Sequence, residues 1–135
     1  MRKLIVLLAA FVPVLIAAQE VAIIPQPVEL RFTKEAEPFI IDQRTLIVAS
    51  HEEARPAANF LQGYIRQYYG RLLPITEKIN ASHAIVLKRG KIFNQTKGAY
   101  TLRSQKSSIQ IEANEGAGLF YGVQSVMQLM PEKQN

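Results

Sequence analysis

The 135-residue sequence contains no cysteine and only two histidines, His51 and His83. Without cysteine there is no disulfide framework, no thiol nucleophile, no cysteine-based zinc site and no lipoprotein anchor behind an N-terminal leader. A glycine-rich phosphate loop, a dinucleotide fingerprint and a G-x-S-x-G elbow are all missing as well, which removes the common signatures of nucleotide binding and of serine hydrolases. The length suits one domain and excludes a complete (β/α)₈ barrel, which takes about 250 residues. Disorder is excluded by a composition that is 48% hydrophobic and 20% charged, because such a chain has enough apolar surface for a core.

Residues 1–18 read as an address. Arg2 and Lys3 form a positive start, Leu4 to Ile16 is an uncharged apolar run, and Ile16-Ala17-Ala18 ends in small residues. The run is well short of the roughly 20 residues that cross a bilayer. The expectation is a cleavable signal peptide, cut after Ala18, that directs the chain to a secreted or periplasmic location and leaves no membrane span. Removing it takes two bases and no acid, so 14 Lys+Arg face 11 Asp+Glu and the net charge falls from +5 to +3. The remaining bases are scattered, with Lys88-Arg89-Lys91 the nearest to a cluster. That pattern lacks the basic stripe and reading element of a nucleic-acid binder. Asn80-Ala81-Ser82 and Asn94-Gln95-Thr96 match the N-glycosylation acceptor pattern.

Residues 19–135 predict one α+β domain with a mainly antiparallel or mixed sheet. An extended lead-in, Ile23-Ile24-Pro25-Gln26-Pro27, precedes a strand in which Val28, Leu30 and Phe32 alternate with Glu29 and Arg31. Two short strands follow at Phe39-Ile40-Ile41 and Thr45 to Ala49, around an Asp42-Gln43-Arg44 turn. A helix from about His51 to Tyr69 is signalled by Ser50 as N-cap and Glu53 in capping-box spacing. Ala54, Ala57, Ala58, Leu61, Tyr64, Ile65 and Tyr68 supply its apolar stripe, and Gly70 its C-cap. Strands are expected at Leu72 to Thr76 and Ala84 to Leu87, then a hairpin of Ala99 to Arg103 with Ser108 to Ala113 around Gln105 to Ser107. A second helix begins at an Asn114 cap, carries Leu119, Phe120, Val123, Val126, Met127 and Met130, and ends at Pro131. Gly116, Gly118 and Gly122 cost about 1 kcal/mol each inside a helix, so they predict close approach of that helix to the sheet.

The search for chemistry returns little. His51-Glu52-Glu53-Ala54-Arg55 nearly matches the H-E-x-x-H zinc pattern, but a cation, Arg55, occupies the second ligand position. The carboxylates Glu35, Glu37, Asp42, Glu77, Glu112 and Glu115 fall at turns and edges, with no pair set to flank a glycosidic bond. Tyr64, Tyr68, Tyr69 and Tyr121 are candidates for an aromatic ligand platform. Of these Tyr64 and Tyr68 read as core and Tyr69 as exposed. No catalytic, cofactor-binding or metal-binding residue is assigned.

Three segments carry a family resemblance. Ile23-Ile24-Pro25-Gln26-Pro27-Val28, Ala99-Tyr100-Thr101-Leu102 and Gly118-Leu119-Phe120-Tyr121-Gly122-Val123-Gln124-Ser125-Val126-Met127-Gln128-Leu129 are similar to landmarks of the N-terminal domain of glycoside hydrolase family 20, the β-N-acetylhexosaminidases. Ser125 stands where threonine is usual and Val126 where leucine is usual. The resemblance implies a zincin-like α+β fold with two helices on one face of the sheet, no metal at His51, and a (β/α)₈ barrel as partner. In the family that barrel holds a His-x-Gly-Gly motif followed by an Asp-Glu pair. The Glu is the general acid/base, and the Asp orients the substrate acetamido group that attacks the anomeric carbon. No such motif occurs in this sequence, so the expectation is a non-catalytic N-terminal domain separated from its barrel. The alternative is a free-standing secreted module that binds glycans or a partner protein through Tyr69, Tyr121 and the scattered bases.

Overall fold

The computed structural model describes residues 37–131. The expected lead-in at Ile23 to Pro27 and the strand at Val28 to Phe32 lie outside the described residues. Five strands and two helices follow in the order β1 (Leu46–Ala49), α1 (Arg55–Tyr69), β2 (Ile75–Thr76), β3 (Ala84–Arg89), β4 (Tyr100–Gln105), β5 (Ser108–Ala113) and α2 (Gly116–Leu129), with a 3₁₀ turn at Glu52–Ala54 leading into α1. They form an α+β domain with one mixed sheet of order β2-β1-β3-β5-β4.

The sheet is more parallel than the sequence suggests. β1 runs parallel to β2 and β3, and β3 parallel to β5; the β4–β5 hairpin is the antiparallel pairing. The reason lies in the connections. A crossover through α1 returns β2 to one edge of β1, and β3 comes in on the other edge, so short strands that are sequence neighbours do not become hairpins. Phe39-Ile40-Ile41 is not a strand. It is tied across the start of the sheet instead: the Phe39 ring stacks on His83 at 4.7 Å, and His83 Nε2 lies 2.9 Å from the Ile40 carbonyl.

Alternation sorts the strand side chains. Ile47 and Ala49 of β1, Ile85 and Leu87 of β3, and Ile111 and Ala113 of β5 share one core with Ala57, Ala58, Leu61 and Ile65 of α1 and Leu119, Val123 and Val126 of α2. Both helices therefore cover the same face. Gly70 ends α1 in the left-handed region at φ 68°, its N–H donating to the Arg66 carbonyl, as expected of a glycine cap. The N-terminal caps differ from expectation. No side-chain cap bond forms at His51, Ala54 or Glu115. Glu53 reaches Arg89 at 2.8 Å, across the ends of the strands, in place of a capping box. Asn114 ties down the loop after β3, accepting from Ile92 N–H and donating to the Asn94 carbonyl, both at 2.9 Å.

The expected close approach of α2 to the sheet is present. A Cβ at Gly118 would stand 2.4 Å from the Ala99 carbonyl oxygen, and one at Gly122 would stand 2.3 Å from Ile111 Cγ2. The buried Ser125 hydroxyl meets the Tyr100 hydroxyl at 2.6 Å. Two of the three family-like segments are thus the two sides of one contact, β4 against α2. The residues that carry the resemblance here are packing residues.

At the turn before β1, Asp42 accepts from Arg44 through both its backbone N–H and its guanidinium, at 2.7–3.1 Å. These bonds hold the carboxyl at about 2, below its ordinary 3.8. A carboxyl that is harder to protonate when folded contributes stability that is complete above the ordinary value and disappears as pH falls through about 2. Asp42→Asn is expected to lower stability modestly at neutral pH, to leave it nearly unchanged near pH 2, and so to flatten the acid limb of the stability curve between about pH 4 and pH 2. Urea midpoints measured across that range check this.

Candidate docking surface

The outer side of α2, unlike the more polar outer side of α1, is not prepared for water by its sequence. α2 contains no Asp, Glu, Lys or Arg in 14 residues. α1 contains Arg55 and Arg66 and no acid in 15 residues. A helix lying on a sheet normally turns a charged face outward, and one that is uncharged all round is normally covered. Phe60, Tyr68, Tyr121 and Leu129 are each 44–47% exposed. Phe60 of α1 meets Phe120 of α2 at 4.9 Å between ring centres, and Tyr64 meets Tyr68 at 4.5 Å. The two helices thus share an aromatic seam. It is continuous with the core through the partly buried Tyr64, Phe120, Met127 and Met130.

The aromatic expectations are partly reversed. Tyr68, read as core, is exposed, and Tyr69, read as exposed, is partly buried. Leu61 and Ile65 face the sheet, while Tyr68 sits at the stripe's rim. The Tyr69 hydroxyl donates to the Pro131 carbonyl at 2.5 Å, which joins the end of α1 to the chain leaving α2. Burial, with Tyr64 beside it, pushes the Tyr69 phenol up. Tyr121 leans on Gly98, whose φ of 78° and lack of a side chain make room for the ring.

The carboxylates are dispersed. Glu37 pairs with Lys106, Asp42 with Arg44, Glu77 with Arg55 and Glu112 with Lys88; Glu115 accepts from Gly98 N–H at 2.8 Å. Glu35 lies outside the described residues. His51 is exposed on an open cleft that Glu52, Arg55 and Glu77 also line, and His83 faces the Phe39–Asp42 segment. The two histidines belong to different ends of the strands. Among the described residues no group of three potential metal ligands occurs. The basic cluster is broken up, since Lys88 and Arg89 engage Glu112 and Glu53 while Lys91 is exposed. Asn80 and Asn94 are both exposed. No described helix is long and apolar enough to cross a membrane.

Of the seam, Tyr64 and Tyr68 stand among the aromatic candidates of the sequence, whereas Phe60 and Phe120 do not. The seam's signal was present as the charge-free run from Gly116 to Met130. An apolar-surface dye is expected to bind the isolated chain, and Phe60→Ser with Phe120→Ser to lower the dye fluorescence severalfold at unchanged helix content by circular dichroism.

Over the described residues, fold and surface together define an α+β domain of one sheet layer and one helix layer, with Phe60, Tyr68, Tyr121 and Leu129 exposed on the helix side. Residues 20–135 match the model of glycosyl hydrolase family 20, domain 2, and the chain belongs to that family. It is 33% identical over 110 residues to a β-hexosaminidase of Porphyromonas gingivalis, a match spanning 81% of this chain and 14% of the relative. The family 20 β-N-acetylhexosaminidase of Streptomyces coelicolor superposes with a TM-score of 0.64 at 33% identity, covering 71% of this chain and 19% of that one. An exo-β-N-acetylglucosaminidase of Vibrio harveyi shares the fold, with a TM-score of 0.68 at 20% identity over 82% of this chain and 16% of that one. The chain thus spans less than a fifth of the length of each of these relatives.

Proposed function

We propose that this chain is the non-catalytic, zincin-like N-terminal domain of a secreted β-N-acetylhexosaminidase, led out of the cytoplasm by residues 1–18. Its role is to pack its helix layer on the (β/α)₈ barrel that hydrolyses terminal N-acetylhexosamine, and to stabilise that barrel. The observation that carries this reading is α2, a helix without a single charge in the outer layer of the domain. Such a face calls for a third layer. The dispersed carboxylates support a structural role over a chemical one, since glycoside hydrolysis needs acids gathered around one bond.

The test is a graft. The matching 110 residues of the Porphyromonas β-hexosaminidase are deleted, or replaced by this chain, and the half-life of activity on a chromogenic N-acetylglucosaminide is followed at elevated temperature. Deletion is expected to shorten the half-life and the graft to restore it. A graft no better than the deletion would sink the reading. Turnover by this chain alone, surviving purification to homogeneity, would make it an enzyme in its own right. A heat of binding with millimolar N-acetylglucosamine would favour a free-standing glycan-binding module.

A further inference from the structure

Among the described residues one large apolar side chain stands wholly in water. Phe93 is 104% exposed, against 44–67% for the other exposed large apolar side chains. It lies in the segment between β3 and β4, past the end of β3. On a loose loop a bare phenyl would mean little, but this loop is built. Ile92 beside it is buried and roots the segment. Asn114 holds it twice, accepting from the Ile92 N–H and donating to the Asn94 carbonyl. The Gln95 amide donates to the Ile92 carbonyl, and the Asn94 side-chain oxygen accepts from the Thr96 N–H. Glu115 secures the far end by accepting from the Gly98 N–H. The backbone on both sides of Phe93 is thus fixed while its ring is left in solvent.

The free charges around the ring have one sign. Lys91 and Lys97 flank it, and both are exposed. Neither is paired with an acid among the described residues. The acids at this end of the sheet are engaged elsewhere: Glu53 on Arg89, Glu112 on Lys88, and Glu115 on the Gly98 N–H. A projecting tip of this kind does not suit a small ligand, which takes a concave site. A protein partner would have to supply both an apolar pocket and acids at matching places. An anionic bilayer supplies negative charge with apolar depth beneath it at every point. Aromatic rings settle at its headgroup level, and lysines beside them are drawn to its negative surface.

We infer that the loop from Gly90 to Gly98 is a membrane-surface anchor: Phe93 enters the headgroup region of an anionic phospholipid bilayer while Lys91 and Lys97 meet the lipid phosphates. The contact uses the end of the sheet and not the aromatic seam, so it goes beyond barrel packing and does not depend on it. Because the loop is already ordered, little conformational freedom is lost on contact. The contact is also shallow. One ring and two lysines hold less firmly than a single myristoyl chain, whose association constant is about 10⁴ M⁻¹.

The test uses residues 19–135, since the apolar run from Leu4 to Ile16 would itself enter a bilayer. The chain is sedimented with sucrose-loaded vesicles of phosphatidylglycerol and phosphatidylcholine at low salt. An association constant on the order of 10³ M⁻¹ is expected, falling severalfold on pure phosphatidylcholine or in about 0.5 M salt. Phe93→Ser is expected to lower it about tenfold, and Lys91→Gln with Lys97→Gln about tenfold. Circular dichroism is expected to be unchanged in both variants, because the three side chains are exposed. Absence of sedimentation with the anionic vesicles overturns the anchor. So does equal sedimentation of Phe93→Ser, which would move the contact to another surface such as the seam. If Phe93→Ser instead shortens the half-life of activity in the graft, the ring is seated on the barrel; the anchor then falls and barrel packing stands. If the unsubstituted graft gives no protection while Phe93-dependent sedimentation holds, barrel packing falls and the anchor stands.

Discussion

Replacing Gly118 with alanine is expected to destabilise the domain by about 3 kcal/mol, near the upper end for overpacking, and to lower Tm by roughly 10 °C or more. The added methyl would lie 2.4 Å from the Ala99 carbonyl oxygen and 2.7 Å from the Ala113 Cβ. The first obstacle is backbone and the second is a buried methyl on the central part of the sheet, so neither can turn aside. Relief requires α2 to move away from β4, which would also break the 2.6 Å contact of Tyr100 with Ser125. The helix propensity gained, about 1 kcal/mol, is too small to offset this. Calorimetry of the purified variant checks it, and a Tm within 2 °C of the parent would mean that the helix has slack.

Gly122 supports a second test, because its obstacle is a removable side chain. A Cβ there would lie 2.3 Å from Ile111 Cγ2 and 3.2 Å from the Tyr100 ring. Gly122→Ala alone is expected to cost about 2 kcal/mol by overpacking. Ile111→Ala alone is expected to cost about 3 kcal/mol, because Ile111 is fully buried in the core. The two together are expected to cost less than their sum by about 1–2 kcal/mol, since the new methyl occupies part of the space that Ile111 vacates. Urea denaturation of the four proteins closes the cycle. Strict additivity would mean that α2 shifts as a rigid body instead.

Much of this architecture was legible in the sequence, and for local reasons. The β4–β5 hairpin, both helices, the Gly70 cap and the role of Gly118 and Gly122 follow from alternation, helical spacing and the physics of a missing Cβ. Strand order was not legible. β1 pairs with β3 across an intervening helix and strand, and no periodicity within Leu46–Ala49 names its partner. The caps failed because Glu53 and Asn114 had stronger non-local partners in Arg89 and the loop after β3. Tyr68 and Tyr69 were exchanged because a helical stripe gives an apolar direction, whereas exposure depends on how far the sheet extends beneath it. The docking surface was visible only once α2 was placed in an outer layer. A charge-free run reads equally well as core until its environment is known.

The arrangement of pairings also sets an order in time. β4, β5 and α2 are consecutive: a tight turn sets Gln105 beside Ser108, and α2 follows directly with Gly122 seated on Ile111. The placing of β1 needs Leu46 beside Ala84 and Ile47 beside Ile75, so large loops must close before those bonds form. Short-range units assemble fast and long-range parallel pairing is slow. The β4–β5–α2 unit is therefore expected to form first and β1 to be recruited to it afterwards, an order that φ-values near Ile111 higher than those near Leu46 would bear out.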